Sequence, residues 1–228
     1  MASEAQLVFT PRPLEVAAGL VVDALKRLGP GARLGIPGGS ALGALRLVRE
    51  ALPAELWSSL RLTWIDERLV PMSDAASNRG DAFRGGALSK EQPVKFLLPL
   101  VLDGESAPAA VERASKQFAG DFGDQLDVVL LGLGEDGHIA SLFPGHAALG
   151  TRAHVTSLAD SPKPPTSRVT LTLPVLARAG VERIIVAMGT GKRDALQRLL
   201  AGDESIPAAK LGKVTVVTDQ QLTTKETP

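Results

Sequence analysis

The residues best placed for proton transfer are Asp136 and His138, which close the run Leu131-Gly-Leu-Gly-Glu-Asp-Gly-His138 directly after an apolar stretch of strand length. A histidine ionises near neutral pH (~6.5 when unperturbed), so one beside a carboxylate at a strand end can act as a general base. The same run also fits a tight turn with a packing or capping histidine. Gly132, Gly134 and Gly137 spell G-x-G-x-x-G, but Asp136-Gly137 favours a turn and Pro144 truncates any helix that follows. No acid stands ~20 residues further on after a second strand, so the dinucleotide reading is rejected. His138, His146 and His154 are spaced by eight, which is no helical metal spacing, and no metal is expected.

Three further groups carry charge or free backbone N–H groups. Gly35-Ile-Pro-Gly-Gly-Ser40 lies between a strand and a helix, where glycines admit close approach of a ligand and Ser40 can cap the helix. The free N–H groups and the helix dipole there suit a phosphate; an ordinary strand-to-helix turn is the competing reading. Trp64-Ile-Asp-Glu-Arg-Leu-Val-Pro71 ends a hydrophobic strand in Asp66, Glu67 and Arg68, either at a site or in a solvated turn. Lys163-Pro-Pro-Thr-Ser-Arg168 and Gly189-Thr-Gly-Lys192 are basic segments able to hold phosphate by charge-assisted hydrogen bonds, or to sit idle on the surface.

These residues need strand ends to converge, and the chain supplies them. Leu14, Ala17, Val21, Leu25 and Leu28 recur at helical spacing, and Gly29-Pro30-Gly31 stops that helix. Strands are expected at 32–36, 61–65, 126–131, 183–188 and 214–218, with further helices at 42–52, 107–122 and 192–200. Val169–Leu173 alternates. The order strand, helix, strand, helix predicts an α/β fold with a largely parallel sheet and helices on both faces. Residues 72–78, 145–152 and 161–167 read as loops.

Composition narrows the function. The 228 residues suggest one domain over 1–228. Lys+Arg and Asp+Glu both number 25, so net charge gives no argument for nucleic acid or an anionic membrane. The absence of cysteine excludes a thiolate nucleophile and a Cys-ligated metal. No apolar run approaches the ~18 residues of a spanning helix, and no G-x-S-x-G elbow is present. A soluble, cytoplasmic protein is expected.

Taken in order, PGGS, WIDERLVP, Ser77-Asn78, LGLGEDGHIASLFPG, KPPTSRVTLTLPVL and GTGK resemble the 6-phosphogluconolactonase family, which shares a superfamily with glucosamine-6-phosphate deaminases. The resemblance implies a three-layer α/β/α Rossmann-like fold and hydrolysis of a sugar-phosphate lactone in the pentose phosphate pathway, a reaction that requires no metal or organic cofactor; the sequence leaves the oligomeric state open, a monomer being one expectation. It makes His138 the general base that activates water and Arg68 a residue facing the substrate, with Asp66 and Asp136 as orienting carboxylates. The phosphate is assigned to Gly38, Gly39 and Ser40, with Arg168 and Lys192 as cationic partners. One departure stands out: the family's Gly-Gly-Ser-Thr-Pro is here Gly38-Gly-Ser-Ala-Leu42, which removes a hydroxyl. Two alternatives remain. An amino-sugar-phosphate deaminase resembles the chain at Asp66 and Asp136-Gly-His138, but carries Asn-Glu-Pro where Leu142-Phe-Pro144 stands here. A non-catalytic sugar-phosphate sensor needs an output module that the sequence does not display.

Overall fold

The computed structural model describes residues 4–222. Ten strands run as β1 (Ala5–Phe9), β2 (Arg33–Ile36), β3 (Arg61–Trp64), β4 (Asp66–Arg68), β5 (Phe96–Leu98), β6 (Val128–Gly132), β7 (Val155–Leu158), β8 (Arg168–Leu171), β9 (Glu182–Ala187) and β10 (Val214–Thr218). The helices between them are α1 (Pro13–Leu28), α2 (Gly43–Ala51), α3 (Ala54–Ser59), α4 (Asn78–Arg84), α5 (Ala107–Phe122), α6 (Leu173–Leu176) and α7 (Arg193–Leu200).

Seven strands form one sheet in the order β1-β10-β9-β6-β2-β3-β5, and every neighbouring pair is parallel. Its centre is apolar on both faces: Val128, Val129, Leu130 and Leu131 are buried in unbroken succession. Such a run requires cover on both sides, and helices supply it in a three-layer α/β/α Rossmann-like arrangement. The first helix shows how: Pro13 presets its first turn, Ala17, Val21 and Leu25 pack inward, and Gly29, at φ 77°, ends it. That helix lies on β6, β9 and β10 and against α2. No helix among the described residues is long and apolar enough to cross a membrane.

The chain leaves β2 toward β3 on one side and leaves β6 toward β9 and β10 on the other. The strand order therefore reverses between β2 and β6, and the crevice beyond their carboxyl ends is the natural binding place. A second sheet, β4-β8-β7, is antiparallel and adds to the single parallel sheet that the sequence predicts. It begins one residue after β3, so that the charged end of that segment is itself a strand.

Candidate active site

The ends of β2, β6 and β9 and the small sheet meet at a cleft of about 180 Å³ beyond the β2–β6 reversal. The end of β2 contributes Gly38, Gly39 and Ser40, and the end of β6 contributes Gly134 and His138. The small sheet contributes Asp66, Arg68 and Arg168, and the turn after β9 contributes Lys192. Asp136 stands behind His138 instead of lining the cleft. All nine sequence-selected residues are thus gathered at one place.

The loop after β6 is folded to present the imidazole. Gly137 N–H donates to the Gly134 carbonyl at 3.0 Å, and Gly134 N–H donates to the His138 carbonyl at 2.8 Å. A turn rather than a helix follows the glycines, which is why their dinucleotide-like spacing has no nucleotide geometry. A Cβ at Gly134 would lie 2.0 Å from His138 Nδ1 and 2.6 Å from Asp136 Oδ1, so only glycine lets the pair fold over the chain.

Asp136 Oδ1 lies 2.5 Å from His138 Nδ1. With that carboxylate accepting from Nδ1–H, the imidazole lone pair is on Nε2. Burial pulls the His138 pKa below its ordinary value; the Asp136 hydrogen bond and charge oppose this, Lys163 adds to the lowering and Asp66 opposes it. Burial works to raise the Asp136 carboxyl, but its bonds to His138 outweigh this and hold it low. Phe143, almost wholly buried, sets its ring 4.7 Å from the imidazole, centroid to centroid, and 5.8 Å from the Arg168 guanidinium carbon. The arrangement is a neutral imidazole, oriented from behind by a carboxylate and braced by a phenyl ring. It can take a proton from water.

Arg68 and Arg168 are direct cross-strand partners in the β4–β8 register, as are Asp66 and Thr170. Like charges directly opposite one another destabilise a sheet, so this pairing needs an anion close by. Asp66 provides part of it, with Oδ2 3.9 Å from Arg168 Nη1. Asp66 is in turn held by the Ser141 hydroxyl at 2.7 Å. Arg68 donates Nη1–H to the Ala76 carbonyl at 2.6 Å, and its Nε is buried without a protein acceptor among the described residues. Arg168 is more occupied than the sequence implied. Its Nε donates to Pro165 O at 3.0 Å and its Nη2 to Lys163 O at 2.9 Å, so the guanidinium binds the 163–165 loop. Burial lowers its pKa, Asp66 counteracts this, and Arg68 adds to the lowering.

On the β2 side, Ser40 does not cap α2. A 3-10 turn over Gly39–Leu42 intervenes, with Gly38 at its start, and neither this turn nor α2 has a side-chain cap. The intervening turn carries the chain into the helix by backbone bonds alone and leaves Ser40 exposed beside the cleft. Lys192 ends a similar 3-10 turn ahead of α7. Asp219 fixes that turn by accepting from Gly189 N–H at 2.9 and 3.1 Å.

Sequence reasoning gave no role to Asn78, Ser141 or Asp219, and used Phe143 only for its lack of an acid. Asn78 lines the cleft, donates Nδ2–H to the Asp66 carbonyl at 2.9 Å, and stands where a Cβ on Gly38 would be 2.0 Å from its Oδ1. The available signal was Ser77, whose hydroxyl accepts from Gly80 N–H at 2.9 Å and so marks the start of α4. Among the described residues no three His, Asp or Glu side chains converge as a metal site would require.

The sequence profile described as glucosamine-6-phosphate isomerases/6-phosphogluconolactonase matches residues 14–219. The chain belongs to this family. It is 41% identical to the 6-phosphogluconolactonase of Rattus norvegicus over 186 residues, covering 77% of this chain and 72% of the relative. It is 40% identical to the 6-phosphogluconolactonase of Bos taurus over 215 residues, covering 90% of this chain and 79% of the relative. The crystal structure of 6-phosphogluconolactonase from Thermotoga maritima superposes with a TM-score of 0.78 at 21% identity, over 95% of this chain and 99% of that one, which is a likeness of fold. The family description spans two chemistries. Within it, this member places Phe143, which has no ionisable group, against the cleft histidine.

Proposed function

We propose that this family member hydrolyses the ester of 6-phosphoglucono-1,5-lactone, with His138 as the general base. The observation that carries the assignment of the base is the 2.5 Å Asp136–His138 contact, which leaves Nε2 as the proton acceptor at the cleft. The activity itself is supported by the names of relatives 40–41% identical to the chain.

In this reading Nε2 removes a proton from water as the water oxygen attacks the lactone carbonyl. The carbonyl electrons move onto oxygen, where Arg68 offers a guanidinium to the developing charge. When the oxyanion collapses, the ring C–O bond breaks and the leaving oxygen recovers the proton from Nε2. The products are a carboxylic acid, which gives up its remaining proton to solvent as the carboxylate, and a free hydroxyl, and the imidazole returns to its neutral form. Asp136 holds the tautomer throughout. The phosphate sits on the N–H groups of the Gly38-Gly39-Ser40 turn, with Lys192 as its cation. Arg168 reaches the same cleft while fastening its own loop. The proposal includes a monomer and cytoplasmic residence, the latter fitting the cysteine-free composition.

Acid release from freshly prepared phosphorylated lactone, with unphosphorylated gluconolactone as control, tests the assignment. In this assay Lys192→Ala is expected to raise KM for the phosphorylated substrate by ~10–100-fold, the worth of one charge-assisted hydrogen bond. Turnover of the unphosphorylated lactone is expected to stay within ~2-fold, since in this reading the half-buried Lys192 faces the phosphate and not the ester. Equal losses on both substrates would show that Lys192 does not read the phosphate.

A further inference from the structure

The three residues of β4 alternate, so that Asp66 and Arg68 reach the cleft while Glu67, between them, points away from it. Glu67 is 2% exposed, and among the described residues no cation lies within ion-pair distance of it. Its Oε1 accepts from the backbone N–H of Arg68 and of Asn78, both at 2.8 Å. Its Oε2 accepts from the backbone N–H of Arg79 at 2.6 Å, and the Ser77 hydroxyl lies 3.4 Å away. The Arg79 guanidinium itself is engaged elsewhere, by Val101 O and Asp103. Burial pushes the Glu67 carboxyl above its usual range, the three N–H bonds pull it back, and the neighbouring Asp66 charge adds to the rise.

A dry carboxylate without a cation is unfavourable unless its hydrogen bonds do something a neutral side chain would not. Here they join β4 to residues 77–79, across the loop that separates the strand from α4. The junction is completed by Arg68 Nη1 on Ala76 O, 2.6 Å away. Both chain segments fixed by Glu67 end in cleft groups. Asn78 is set against the Gly38 turn and the Asp66 carbonyl, and Arg68 reaches the cleft that His138 also lines.

We propose that Glu67 is a positioning residue for the reaction: it touches no substrate and acts by holding Asn78 against the phosphate turn and Arg68 in the cleft. This rests on the function proposed above. A double-mutant cycle of Glu67→Gln and Asn78→Ala tests it. Glutamine keeps one acceptor for the Arg68 and Asn78 N–H groups but turns an NH₂ toward Arg79 N–H, so the clamp loosens. The single substitution is expected to lower kcat/KM by ~10–100-fold, as displacements near 1 Å do. Once Asn78 is truncated, the further loss on adding Glu67→Gln is expected to shrink at least ~3-fold, to the part that acts through Arg68, because residues acting through one another are not additive. Independent, multiplying losses would overturn the proposal, as would a lowered Tm with unchanged kcat and KM. Glu67→Asp, which keeps the charge but is one methylene short, enters the same cycle if the glutamine variant fails to fold. Wild-type protein without lactone turnover would sink the functional reading instead. The cycle would then be run on the Kd for 6-phosphogluconate, where coupling still decides the role of Glu67.

Discussion

Replacing His138 with alanine is expected to lower the catalysed rate by ~10²–10⁴-fold, the range for loss of a general base. That is about 2.7–5.5 kcal/mol of transition-state stabilisation. The fold should survive, because the side chain lies on a loop at the cleft and is not part of the hydrophobic core. The wild-type pH profile carries the same prediction. The base works only when deprotonated, so activity falls as pH drops through the His138 pKa. Burial, helped by Lys163, places that pKa below the ordinary histidine value despite Asp136. The acid limb of kcat/KM is therefore expected below pH ~6.5. The limb should vanish in the alanine variant together with the rate. Wild-type-like turnover in that variant, or an acid limb centred well above pH 7, would remove His138 from the mechanism.

Arg168→Ala is expected to destabilise the protein by about 3–5 kcal/mol, as truncating one partner of a buried charge cluster does. For a chain of this length that is a fall in Tm of roughly 6–20 °C. The reason is the occupancy of the guanidinium. It satisfies carbonyls of the 163–165 loop, faces Asp66 at 3.9 Å and packs near the Phe143 ring that braces His138. Removing it frees the loop and leaves Asp66 with Ser141 and Asn78 alone. Activity on the phosphorylated and the unphosphorylated lactone should fall together. Sequence reasoning alone treats Arg168 as a phosphate cation, which predicts a selective loss. An unchanged Tm with loss confined to the phosphorylated substrate would restore that reading.

The two arginines also show what was legible in the sequence. Five strands of the parallel sheet were readable from apolar runs, among them β6 with its unbroken Val128–Leu131, because a strand covered on both faces has no polar residues to disguise it. Four helices were readable from their period. β1 escaped notice because it is a sheet edge with a broken, half-exposed pattern. The small sheet escaped because β4 is only Asp66-Glu67-Arg68, a composition that resembles a solvated turn. Its strand character comes from pairing with β8, a contact across about a hundred residues. The candidate site was legible where glycines and charges follow strands directly, as at Gly38-Gly39-Ser40, Asp136-Gly137-His138 and Lys192. It was illegible where a group arrives from a loop or helix start, as with Asn78 and Ser141, whose relevance lies in Gly38 and Asp66 from other elements. The cap assigned to Ser40 failed for a local reason: a 3-10 turn stands between it and the helix.

The central claim is that the cleft histidine serves ester hydrolysis in a family that also contains amino-sugar isomerases. Isomerisation with loss of ammonia requires ring opening and proton movement between neighbouring carbons, hence several ionisable groups around the substrate. At the segment after His138 this chain has Ile-Ala-Ser-Leu-Phe-Pro144, and Phe143 packs its ring on the imidazole. Lactone hydrolysis needs one base, one water and a place for the oxyanion. The most direct measurement therefore sets one preparation of the protein against both substrates, following acid release from 6-phosphogluconolactone and ammonia release from glucosamine 6-phosphate. Rapid acid release with no measurable ammonia is the expected result. Ammonia formed at rates rivalling or exceeding lactone hydrolysis would contradict it.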